Sequence, residues 1–144
     1  MFFRYVLEKQ KHRKKVLAND KAQFIAVSYP KAFTIQMQKK TVEDCTEQEL
    51  IECMEEMLEA PKAKNEFIVL TAPKPQKGIA YIQACMVDDW IETEIGVEHG
   101  KQISLLYKMC TRREYRNLFL AFYQYPINPK GLSVDITEFV PVPF

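Results

Sequence analysis

The sequence predicts an α+β fold: a mostly antiparallel sheet of four to six strands with two main amphipathic helices packed on one face. Three observations predict it. Two segments carry apolar residues at helical spacing behind Thr-x-x-Glu starts, and the stretch between them alternates with period two. The connections within that stretch are short enough to favour hairpins, which makes the strands antiparallel neighbours. The 144 residues fit one domain, and with only four glycines there is no Gly/Ser-rich linker to divide them. The whole chain, 1–144, therefore reads as a single α+β domain. Residues 1–45 form a basic N-terminal extension with strands, and residues 46–140 a helix–meander–helix–strand core.

In chain order, Phe3, Tyr5 and Leu7 alternate with Arg4, Val6 and Glu8, a pattern that suits a strand or a short helix. The run Lys9-Gln10-Lys11-His12-Arg13-Lys14-Lys15 follows, and Asn19-Asp20 reads as a turn. Phe24 to Tyr29, bounded by Pro30, reads as a strand, and Phe33, Ile35 and Met37 mark a half-buried one. Thr46 and Glu49 have capping-box spacing. Leu50, Cys53, Met54 and Met57 make the buried stripe of the first helix, widened by Ile51 and Leu58, and Pro61 ends it.

Strands are expected at 67–71, 79–87, around Ile91–Val97, and at 103–109. The turns between them are Pro73–Gly78, Asp88-Asp89 and His99-Gly100-Lys101. Thr111 and Glu114 open the second helix, whose stripe is Tyr115, Leu118, Phe119 and Phe122. Leu132, Val134 and Ile136 alternate near the end. Facing is assigned by alternation: Ile91, Thr93, Ile95 and Val97 with Ile103, Leu105, Tyr107 and Met109 toward the helices. Glu92, Glu94, Ser104, Leu106 and Lys108 then point outward, joined by Tyr81, Gln83 and Cys85, while Ala80, Ile82, Ala84 and Met86 face in.

Composition narrows the class of function. The N-terminal apolar patch is too short for a signal-peptide core, and no run approaches the roughly 20 apolar residues of a membrane span. Cys45, Cys53, Cys85 and Cys110 lack the dense spacing of a disulfide framework and read as buried reduced thiols. A cytoplasmic location is expected. Net charge is +1 but lopsided: residues 1–40 carry ten Lys/Arg against Glu8 and Asp20, and residues 41–60 carry eight acids and no base. The Lys9–Lys15 run lacks interleaved aromatics, so a solvated or helix-pairing surface is expected there rather than a nucleic-acid site.

No nucleophile elbow, phosphate loop or dinucleotide fingerprint is present, and the Cys and His spacings do not suit a metal site. No catalytic residue, cofactor or metal is implied. Glu92 and Glu94, about 7 Å apart along one strand face, could do acid/base chemistry, although a solvated face with an ion pair to Lys108 is the plainer expectation. Trp90, the only tryptophan, is either packed at the sheet edge or an anchor for a protein partner. The candidate outer surface is therefore Tyr81, Gln83, Trp90, Glu92, Glu94 and Lys108. The acidic helix face Glu52, Glu55, Glu56 and Glu59 is a second candidate.

The acidic helix is followed by Asn65-Glu66-Phe67-Ile68-Val69-Leu70, Ile79-Ala80-Tyr81-Ile82-Gln83-Ala84 and Ile91-Glu92-Thr93-Glu94-Ile95. Then come the Thr111–Tyr123 helix and Asp135-Ile136-Thr137-Glu138-Phe139. Over residues 46–140 this order resembles small bacterial immunity-type proteins of polymorphic toxin systems. The resemblance implies a non-catalytic protein-binding domain that neutralises a cognate toxin by charge and shape complementarity. The alternatives are a small-ligand-binding or regulatory domain, or an enzyme using the Glu92/Glu94 row. On the protein-binding reading, reversing Glu92 and Glu94 to Lys should abolish partner capture and leave thermal stability nearly unchanged.

Overall fold

In the computed structural model, which describes residues 29–100, 102–127 and 136–142, both capping boxes close as their spacing requires. Glu49 N–H donates to Thr46 Oγ1 at 3.1 Å, while Thr46 N–H donates to Glu49 Oε1 at 2.9 Å. This starts helix α1, Glu47–Glu59, which buries Leu50, Cys53, Met54, Met57 and Leu58. A 3-10 turn, Lys62–Lys64, follows Pro61, and Asn65 takes a left-handed conformation. Thr111 and Glu114 repeat the box at helix α2, Arg112–Gln124, whose buried residues are Tyr115, Leu118, Phe119, Ala121 and Phe122.

The strands are β1 (Thr34–Met37), β2 (Thr41–Val42), β3 (Phe67–Gln76), β4 (Ile79–Val87), β5 (Trp90–His99), β6 (Gln102–Cys110) and β7 (Val140–Pro141). They form one antiparallel sheet in the order β2-β1-β3-β4-β5-β6-β7. Among the described residues the sheet has seven strands against the four to six expected, because it includes β2 and β7 of two residues each. Elements that short leave no period-two signature.

Both helices cover one side of this sheet. Their stripes share a single core with Ile35 and Met37 of β1, Ile68 and Leu70 of β3, Ile82 and Ala84 of β4, and Ile91 and Ile95 of β5. A register shift between Ile79 and Tyr81 places Ile79, rather than Ala80, in that core, paired with Val97. The helices are joined by the Tyr115 hydroxyl, which donates to the Met54 carbonyl at 3.1 Å, and by the pairing of Arg116 with Glu55.

Facing is inverted in one strand. β6 pairs with β5 through His99↔Gln102, Glu94↔Tyr107 and Glu92↔Met109, so Ile103, Leu105, Tyr107 and Met109 share the face of the glutamates. Ser104, Leu106 and Lys108 lie on the helix side, opposite the expected assignment. Connection length is the cause. Only residues 100 and 101 separate the strands, and a two-residue loop pairs even positions with odd ones here; a one-residue slip exchanges the two faces.

The expected strand at 24–29 falls outside the described residues except for Tyr29, which is in no strand. The Lys9–Lys15 run and the alternating residues Leu132 and Val134 also lie outside them. Among the described residues, no helix is long and apolar enough to cross a membrane.

Candidate functional site: the outer face of the sheet

The side of the sheet away from the helices carries Tyr81, Gln83, Trp90, Glu92 and Glu94 together, as the alternation predicts. Its character differs from the expectation. Glu92 sits between Cys85 and Met109 on the neighbouring strands, and Glu94 between Gln83 and Tyr107. Glu92 is 7% exposed and Glu94 is 2% exposed, so this is not a solvated row. Gln83 Nε2 donates to Glu94 Oε1 at 2.9 Å. Leu105 and Val142 form a small second core with Tyr81, Ile103 and Tyr107 on this side.

Burial governs the electrostatics. Removal from water pushes the Glu92 carboxyl up to about 7, and the charge of Glu94 adds to the effect. Burial, reinforced by both glutamates, likewise raises the Cys85 thiol, which keeps it protonated and a poor nucleophile. The other three thiols are also buried and raised, Cys45 to about 11. The pair Glu92/Glu94 can thus hold a proton near neutral pH or accept a cation. Among the described residues, no group of three or more His, Cys, Asp or Glu side chains is placed to hold a metal ion.

Gly96 is part of how this face is built. It stands opposite Tyr81 on β4, and a Cβ there would run into the Tyr81 ring. The ring packs over the glycine as a cross-strand cover, which only a missing side chain permits. Gly96→Val is expected to displace Tyr81 and to cost about 1–3 kcal/mol in chemical denaturation. Unchanged stability would contradict this packing.

Lys108 does not belong to the surface. It lies opposite Thr93 on the helix side, where it pairs with Glu114 and, at 2.7 Å, with Glu138. Those partners raise its pKa, Glu114 most. The expected ion pair from Lys108 to the outer carboxylates is therefore not formed.

The acidic helix face is partly spent within the chain. Glu55 pairs with Arg116, Glu56 with Lys40 at 2.6 Å, and Glu52 accepts from Gln48 at 3.3 Å. Glu52, Glu56 and Glu59 remain exposed.

Trp90 is the candidate that stays available. It is 50% exposed at the start of β5, directly after Asp88 and Asp89, both exposed at the tip of the β4–β5 hairpin. Asp88 takes a left-handed conformation, φ 55°, which its short polar side chain tolerates. Sequence reasoning named Trp90 but missed this separation. The tryptophan tip is accessible, while the glutamates beside it are covered.

No family model, curated protein or solved structure matches the chain.

Proposed function

We propose that the chain is a protein-binding domain without chemistry of its own, which grips its partner through Trp90 and the flanking Asp88 and Asp89. The half-exposed Trp90 carries this reading. Large aromatic side chains at a surface supply much of the energy of protein interfaces, and a hairpin tip presents one with little backbone in the way. The two aspartates would steer a basic partner, and the exposed acids of α1 extend the negative field. Burial of Glu92 and Glu94 argues against the carboxylate row as the point of contact. In its narrower form the proposal is an immunity-type protein, whose partner is a toxin that it neutralises by covering it.

The test is affinity capture from the native cell, with the wild-type chain compared against Trp90→Ala. Loss of a hot-spot aromatic weakens binding by about 2 kcal/mol or more, close to thirtyfold. The captured partner should therefore be lost by the variant while the thermal midpoint hardly moves. Equal retention by both proteins would remove Trp90 from the interface. On the narrower reading, the captured protein is a toxin whose activity the wild-type chain suppresses in a purified mixture.

A further inference from the structure

Each helix carries charges that oppose its own dipole. The last turn of α1 holds Glu56 and Glu59 and no basic residue, and α2 starts on Arg112 and Arg113. Acids at a helix C-terminus and bases at an N-terminus are both unfavourable to the helix that bears them. The two misfits share one end of the helix layer. Arg116 pairs with Glu55 and Gln124 with Glu47, so α1 and α2 run antiparallel, and the end of one lies beside the start of the other. Charges that local structure disfavours point to a use outside the helix.

Those two contacts also fix the levels. Glu47 and Glu55 stand about two turns apart on α1, as do Gln124 and Arg116 on α2. Ile51 is therefore level with Leu120, and Glu59, one turn beyond Glu55, with Arg112. Ile51 and Leu120 are both half-buried, an apolar step between the two polar pairs. Glu56, Glu59, Arg112 and Arg113 are exposed. Among the described residues Glu59, Arg112 and Arg113 form no ion pair, and Lys40 holds Glu56 only in an exposed pair of little strength.

We infer that this helix face is a self-association site, taken up by a second copy of the chain turned about a twofold axis parallel to the helices. That rotation sets α1 of each copy over α2 of the other at the same level. Glu56 and Glu59 of one copy then meet Arg112 and Arg113 of the other, twice over, around an Ile51/Leu120 centre. A twofold across the helices would stack α1 on α1 and set acid against acid. Two 13-residue helices side by side cover about 20 Å by 20 Å, roughly 400 Å² per copy and about half of a standard interface. The dimer is therefore weak and held largely by charge. Trp90 lies on the other side of the sheet and stays free, with Asp88 and Asp89 left to steer its partner.

Sedimentation velocity of the full chain, followed up to about 1 mM at low salt and at about 0.5 M salt, tests the inference. A dimer is expected at low salt, weakened at least tenfold at high salt. Two charge-reversed chains sharpen the test: one with Glu56→Lys and Glu59→Lys, the other with Arg112→Glu and Arg113→Glu. Each alone sets like charges together and should self-associate at least tenfold more weakly than the wild type. An equal mixture restores opposite signs at both contacts, so it should dimerise nearly as well as the wild type. A wild-type chain that stays monomeric at about 1 mM and low salt overturns the inference, as does a mixture that stays monomeric. Should either variant fail to fold, the wild-type salt series decides, and a dimer that high salt leaves intact counts against this face.

Discussion

Glu94→Lys is expected to destabilise the protein by about 3–5 kcal/mol, enough to unfold much of it at 37 °C. Glu94 is nearly inaccessible and accepts a hydrogen bond from Gln83 Nε2. A lysine in its place sets an ammonium donor against an amide donor, with no water to separate them. Breaking a buried polar pair by replacing one member leaves the other without its partner, and the added positive charge must be desolvated as well. This reverses the expectation from alternation alone, which allowed both glutamates to become lysine at little cost because it took them to be solvated. The contrast is Glu52→Lys on α1, where the side chain is exposed and, among the described residues, accepts a hydrogen bond from Gln48; its effect should stay within about 0.5 kcal/mol. Denaturant midpoints of the two variants settle the matter: similar midpoints would mean that Glu94 is not buried in solution.

Glu92 should make stability fall as pH rises through the range between the ordinary carboxyl value near 4.5 and its folded value of about 7. The sign follows from proton binding. At low pH the carboxyl is protonated in both folded and unfolded chains, and no charge is buried. Between the two values the unfolded chain releases the proton while the folded one keeps it, so rising pH favours unfolding. Above about 7 the folded state holds a buried carboxylate, and the loss is complete. At about 1.4 kcal/mol for each tenfold difference in proton affinity, the loss is on the order of 3 kcal/mol. Glu92→Gln keeps the shape and cannot ionise. Its thermal midpoint should exceed that of the wild type by roughly 5–10 °C at pH 8 and match it at pH 4.5. Parallel pH profiles for the two proteins would show that Glu92 titrates normally.

Particular residues show where one-dimensional reading succeeded. Thr46 with Glu49 and Thr111 with Glu114 announced both helix starts, because a capping box is a contact between residues three apart. The buried stripes of α1 and α2 followed from helical spacing for the same local reason. On the outer face, Tyr81, Gln83, Glu92 and Glu94 came together as alternation required.

The failures are equally specific. In β6 the more apolar set, Ile103, Leu105, Tyr107 and Met109, lies on the outer face, so choosing the core side by apolarity failed, and counting the two residues between His99 and Gln102 would have succeeded. Lys108 went to the wrong side with that strand. Its true partners, Glu114 and Glu138, stand 6 and 30 positions further along the chain, on α2 and beyond it.

Helix starts, strand periods and the existence of a charged outer side were set by neighbours along the chain, where backbone geometry and side-chain spacing act within a few residues. Tertiary structure alone decided that the carboxylates on that side are buried and that Trp90 remains open. Both outcomes depend on how the strands are registered and what packs beside each side chain in three dimensions, which no local pattern encodes.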